Sequence, residues 1–155
     1  MNQSSPSSSV TSQTQVIMGY AGDVDASEAW ESLKADPSAF LVDVRTQAEW
    51  NFVGIPDLTT IGKKPLFIEW QTYPSMAVNG SFMKEVSTEI SVKSVPIFCL
   101  CRSGARSKSA AIELTKNGYV SCFNIGDGFE GPHNDRQRRG FSGGWKAGDL
   151  PWVQS

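Results

Sequence analysis

Cys101-Arg-Ser-Gly-Ala-Arg-Ser107 follows the apolar run Val95-Pro-Ile-Phe-Cys-Leu100 and precedes Lys108-Ser-Ala-Ala-Ile-Glu-Leu-Thr-Lys-Asn117. A β-favouring apolar run, a short polar loop and an amphipathic run predict strand, loop and helix in that order. Such a loop aims successive backbone N–H groups at one point and adds the positive end of a helix dipole. Cys101 stands at its mouth, with Arg102 and Arg106 close by. Helix terminus and guanidinium both stabilise negative charge, a setting suited to a cysteine nucleophile in an anion-binding cradle.

Outward from this loop the pattern alternates. Ala110, Ala111 and Leu114 give the helix after the loop a small, packable face, and Gly118 is a natural residue to end it. Tyr119-Val-Ser-Cys-Phe-Asn-Ile125 is a further strand, with Cys122, like Cys99, read as core. Upstream, Asn79–Ile90 reads as a helix with Phe82, Val86 and Ile90 along one face. Pro65-Leu-Phe-Ile68 and Ala39-Phe-Leu-Val-Asp-Val44 read as strands, the second continuously apolar as in a parallel sheet. Asp25-Ala-Ser-Glu28 and Thr46-Gln-Ala-Glu49 both have capping-box spacing at a helix start. Strands at 40–44, 65–68, 95–100 and 119–125 alternating with helices imply an α/β domain, its mainly parallel central sheet flanked by helices. The stretch Glu69-Trp-Gln-Thr-Tyr-Pro74 falls at the carboxyl end of a strand, the ligand side of an open α/β sheet. Trp70 and Tyr73 are there either as pocket wall or as core cover.

Composition narrows the class. The chain has 155 residues, 39% hydrophobic and 19% charged, which suits one soluble globular domain. A net charge of −2 argues against a general nucleic-acid binder. The longest apolar runs are about six residues, far below the roughly 20 that span a bilayer, so no membrane partner is expected. Residues 1–15 are Ser/Gln-rich and are expected to be a flexible tail, with 16–155 as the single folded domain and Val16-Ile-Met18 packed against it. No secretory or mitochondrial leader is read at the N-terminus, so a reducing cytoplasm is the expected compartment. Three cysteines and one histidine (His133) make neither a disulfide framework nor a zinc site, and no metal or cofactor is called for. Arg136, Arg138 and Arg139 sit in a polar excursion, as a solvated cluster or as a lure for anionic substrates or an acidic partner.

The Cys101–Ser107 loop resembles the active-site loop of the rhodanese family of sulfurtransferases. Related phosphatases use an anion loop one residue longer, with Arg six positions after Cys. Here that position is Ser107, and the shorter ring suits a sulfur atom carried on cysteine better than a phosphate dianion. Asp43-Val-Arg45 with Glu49 and Trp50 also resembles the family pattern. Its expected role is structural support of the site, with Arg45 pairing Glu49 and Asp43 accepting from loop N–H groups. Gly54-Ile-Pro56 is similar to a family stretch, although Gly54 replaces its usual His and Asp57 its Gly. Gly126-Asp-Gly-Phe-Glu-Gly131 matches a Gly-rich turn with an aromatic. Phe129 there either closes over Cys101 or anchors the turn. Gly144-Trp145 and Leu150-Pro-Trp152 resemble the family's terminal segment, with Trp145 and Trp152 as core anchors.

The resemblance, spanning residues 20–153, implies a rhodanese-like domain and a sulfurtransferase. Cys101 would take the outer sulfur of thiosulfate or a persulfide donor and pass it to a thiophilic acceptor: cyanide, a thiol or a protein sulfur carrier. Arg102 and Arg106 would hold the anionic end of the donor. The backbone of Arg102, Ser103, Gly104, Ala105 and Arg106 would stabilise charge on sulfur, and Ser103 and Ser107 would add hydroxyl hydrogen bonds. Two alternatives stand beside it: a phosphatase or arsenate reductase on the same fold, and a non-catalytic rhodanese-like binding or regulatory module.

Overall fold

The apolar runs near residues 40 and 97 become neighbouring strands inside a five-stranded parallel sheet. The computed structural model describes residues 19–132 and 143–154. The chain runs β1 (Gly22–Val24), α1 (Ala26–Ala35), β2 (Phe40–Asp43), α2 (Gln47–Phe52), β3 (Ile55–Pro56), a 3-10 turn (Thr59–Ile61) and β4 (Leu66–Phe67). It continues through β5 (Gln71–Thr72), β6 (Ala77–Val78), α3 (Phe82–Glu89), β7 (Ile97–Leu100), α4 (Ala105–Lys116), β8 (Cys122–Ile125), α5 (Gly144–Ala147) and β9 (Trp152–Val153). The sheet order is β1-β8-β7-β2-β4, with every pairing parallel. The tail 1–15, Val16-Ile-Met18 and the arginine cluster at 136–139 lie outside the described residues.

Burial on both faces explains why the central strands are continuously apolar. Side chains alternate across a strand, so Val42, Ile97 and Cys99 join Phe82 and Val86 of α3, Ile90 just after it, and Ala110, Ala111 and Leu114 of α4. Leu41, Phe98 and Leu100 meet Ala26, Ala29 and Leu33 of α1 and Trp145 of α5 on the other face. Both capping boxes form: Asp25 with Glu28 opens α1, and Thr46 with Glu49 opens α2. The C-terminus returns as β9 to pair antiparallel with β3, and the Trp145 indole donates to the Pro151 carbonyl at 2.6 Å.

Several strands are shorter than their apolar runs. β7 starts at Ile97 because Pro96 has no N–H to give the ladder, although its carbonyl accepts from Phe40. β8 starts at Cys122 because Tyr119 belongs to the turn after α4, its hydroxyl donating to the Ile90 carbonyl at 2.6 Å. β4 keeps only Leu66–Phe67 at the sheet edge, and β2 closes at Asp43. α3 opens at Phe82, because Asn79 turns the chain beforehand by accepting from the Ser81 amide. β1, which the sequence reading missed, supplies the other edge.

The turn Gly126–Gly131 clamps the Cys101 loop: Phe129 N donates to the Cys101 carbonyl at 2.8 Å and Glu130 N to that of Arg102 at 3.0 Å. Gly128 has φ +68° there, and a Cβ on it would fall 2.3 Å from the Arg102 carbonyl oxygen. Gly128→Ala should therefore lower unfolding stability by about 2 kcal/mol or more, measured as the urea midpoint; an unchanged midpoint would show that the clamp yields freely.

Candidate active site

β7 delivers Cys101 to the N-terminal end of α4. The loop closes through Gly104, whose left-handed φ of +103° turns its amide back to the sulfur: N–H to Sγ is 3.1 Å. The thiol is 1% exposed, and the Ser107 hydroxyl lies 3.1 Å from Sγ on its helix side. Ser103 is half-buried, whereas Arg102 and Ala105 are exposed.

Behind Ser107 runs a chain of polar groups that the sequence reading passed over. The Ser107 hydroxyl lies 2.5 Å from Asn124 Oδ1, Asn124 Nδ2 donates to Asp23 Oδ1 at 3.0 Å, and Tyr20 donates to the same oxygen at 2.8 Å. With its N–H₂ committed to Asp23, Asn124 presents only an acceptor to Ser107. Ser107 therefore has one proton for two acceptors, the amide oxygen and the sulfur. The signal was an asparagine inside an otherwise apolar strand, where a buried amide must find partners.

The charged residues pair differently from the sequence expectation. Arg45 does not meet Glu49; its Nε and Nη2 donate to Asp43 at 2.9 and 2.7 Å, both side chains fully buried. The reason is strand geometry: residues two apart project to one side. Nη2 also donates to the Gly54 carbonyl, and the guanidinium lies 4.2 Å from the Phe129 ring centroid. Asp43 does accept from a loop amide, that of Arg45. Glu49 reaches instead to Arg106, with a bidentate contact at 2.6 and 2.8 Å. Burial pushes the Glu49 carboxyl up, but the Arg106 hydrogen bonds and charge, with the Thr46 bonds, outweigh it and hold the group at about 2. Cys99 and Cys122 are buried thiols; burial pushes Cys99 well up, and Cys122 up to about 12.

A cavity of about 550 Å³ opens over Cys101. Its wall brings together Arg102, Ser103, Ala105, Arg106 and Glu49 with Thr46, Ala48 and Val53 of the α2 region and Gln71, Tyr73 and Met76 of the β5–β6 hairpin. Tyr73 takes the wall position, whereas Trp70 does not: its ring packs edge-on to Phe82 at 5.1 Å, against the core. Phe129 is not a wall either, because it is fully buried beneath Arg45 and anchors the turn. Met76 was missed, since nothing in Pro74-Ser-Met76 marked a hairpin tip. Among the described residues, no group of three or more His, Cys, Asp and Glu side chains is placed to hold a metal ion. Nor, among them, is any helix long and apolar enough to cross a membrane.

A parallel sheet with a cysteine loop at its central strand–helix junction is the arrangement of a rhodanese-like domain. Residues 21–155 match the family described as the STR4 middle domain, and the chain belongs to this rhodanese-like family. It is similar to the protein Rv0390 of M. tuberculosis, whose crystal structure superposes with TM-score 0.80 at 43% identity over 88% of this chain and 99% of that one. An RP600 homologue of Rickettsia rickettsii is 42% identical over 127 residues, 82% of this chain and 93% of the relative. The chloroplastic protein Thylakoid Rhodanese-Like of Oryza sativa is 32% identical over 143 residues, covering 90% of this chain but 27% of that protein. The polysulfide-sulfur transferase homodimer of Wolinella succinogenes shares the fold, with TM-score 0.58 at 19% identity over 95% of this chain and 90% of that one.

The Glu49–Arg106 pair has a pH signature. Because the folded carboxyl sits at about 2 against an ordinary 4.5, its contribution is complete above pH 4.5 and is lost as pH falls towards 2. Glu49→Gln should cost about 1–2 kcal/mol at pH 7, and urea midpoints of the two proteins should converge in strong acid. A pH-independent difference would contradict the ion pair.

Proposed function

We propose that the protein is a sulfurtransferase whose Cys101 carries a sulfane sulfur between a donor and a thiophilic acceptor. The observation that carries this reading is the position of the Cys101 sulfur, held by the Gly104 amide and the Ser107 hydroxyl where the cavity meets the start of α4. In the first half-reaction the Cys101 thiolate attacks the outer sulfur of a donor such as thiosulfate. A sulfur–sulfur bond forms to Cys101, the donor's own sulfur–sulfur bond breaks, and its electron pair leaves with sulfite. In the second, cyanide, a thiol or a protein sulfur carrier attacks the outer sulfur of the persulfide and restores the thiolate. The Gly104 amide and the α4 terminus stabilise the charge on sulfur in both steps.

Two features favour sulfur over phosphate chemistry. Arg106 comes five residues after Cys101, one short of the phosphatase spacing, and its charge is paired with the Glu49 carboxylate, which accepts from both Nη groups. A reducing compartment such as the cytoplasm suits a protein whose three cysteines are free thiols.

Steady-state kinetics with thiosulfate and cyanide test the reading. Covalent transfer through Cys101 should give parallel double-reciprocal lines. Cys101→Ser should keep the folded circular-dichroism spectrum while turnover falls by about 10³-fold or more. Turnover retained in the folded variant would remove Cys101 from the mechanism.

A further inference from the structure

We propose that the donor this site selects is an organic sulfane-sulfur compound, with an apolar body and no more than one negative charge, in preference to the thiosulfate dianion. The proposal rests on the sulfur-transfer reading above and names its substrate class. Three observations carry it.

The first is the neutralised cation. Each terminal nitrogen of Arg106 donates to one oxygen of Glu49, which neutralises its charge. Glu49 is itself anchored, since Oε1 also accepts from the Thr46 amide and hydroxyl at 3.1 and 3.0 Å. Releasing Arg106 to a donor would leave the Glu49 carboxylate, still held by the cap of α2, without its cation in the cavity wall. A dianion entering the cavity therefore meets a carboxylate beside the Arg106 guanidinium. Arg102, exposed where it lines the cavity, can balance a single negative charge.

The second is the apolar part of the wall. The side chains of Ala48, Val53, Tyr73, Met76 and Ala105, which line the cavity, are carbon apart from one thioether and one phenol. Tyr73 and Met76 leave 65% and 37% of their surface in water beside the nucleophile. Apart from the Tyr73 hydroxyl, these side chains offer an inorganic oxyanion no hydrogen-bond donor, whereas an apolar body buries them. Methionine adapts its shape to such a body and favours aromatic contacts.

The third is size. A cavity of about 550 Å³ lies within the range of roughly 300–1,000 Å³ typical of pockets for drug-sized organic ligands. A five-atom anion would leave most of it to water.

The chemistry needs no co-reactant. For a persulfide R–S–SH, the Cys101 thiolate bonds to the outer sulfur, the R–S to S bond breaks, and its electron pair leaves on R–S⁻. The proton stays with the transferred sulfur.

Thiosulfonates make the test clean, because benzenethiosulfonate is a monoanionic analogue of thiosulfate with an aromatic body and loses sulfinate in place of sulfite. Rates of persulfide formation on Cys101 are read by acid quench and intact mass at limiting donor, each divided by the rate of the same donor with free cysteine. Wild type should favour benzenethiosulfonate by about tenfold or more. Glu49→Gln should shift this ratio towards thiosulfate by about fivefold or more, and Met76→Ser should shift it the same way by lowering the benzenethiosulfonate rate. Equal rates in wild type, or a ratio that moves in neither variant, would overturn the donor class while leaving sulfur transfer standing. Loading from neither donor would overturn both.

Discussion

The left-handed turn at Gly104 is the constraint on which the site depends. A Cβ at this residue would stand 2.3 Å from the Gly126 carbonyl oxygen, and its φ of +103° is one that side chains resist. Only with this turn does the amide return to the Cys101 sulfur while α4 continues from the next residue. The neighbouring strand enforces it from behind. Gly126 follows β8, so the spacing between β7 and β8 sets how closely the two turns approach. Small residues Ala110 and Ala111 pack α4 against the sheet and hold its terminus at the sulfur.

Two carboxylate–guanidinium pairs with different duties flank this turn. Asp43–Arg45 is fully buried and ties the end of β2 to the Gly54 backbone and the Phe129 ring. A buried pair of this kind offers little net stability over an apolar replacement, but removing one partner strands the other charge. Glu49–Arg106 is partly exposed and lines the cavity, where it sets local charge. The thiols divide in the same way. Cys99 and Cys122 are sealed in the core and burial disfavours their ionisation, whereas Cys101 is the one that both lines the cavity and receives an amide hydrogen bond.

Much of this was legible in the sequence because local signals and global fold agree. The strand–loop–helix around Cys101 combined an apolar run, a polar loop with glycine and a small-residue helix face, and each feature survives in the structure. The capping boxes at Asp25 and Thr46 were likewise local. What the sequence could not supply was tertiary choice among compatible partners. Glu49 had the spacing to meet Arg45, but strand pleating gave Arg45 to Asp43 and freed Glu49 for a residue 57 positions away. Trp70 and Tyr73 were indistinguishable as loop aromatics until the β5–β6 hairpin turned one inward to Phe82 and the other to the cavity. β1 was invisible because three residues beginning with glycine carry little strand propensity; its pairing with β8 makes it a strand.

The central claim is that the fold singles out Cys101 from three free thiols as the sulfur carrier. The most direct measurement is peptide mapping of the protein after brief exposure to a sulfane-sulfur donor and alkylation. One added sulfur, about 32 Da, should be placed on Cys101 by fragment ions that separate it from Cys99 on the same peptide, should be absent from Cys99 and Cys122, and should be lost when cyanide is added before alkylation. Sulfur spread over the three cysteines, or resistant to cyanide on Cys101, would contradict the account.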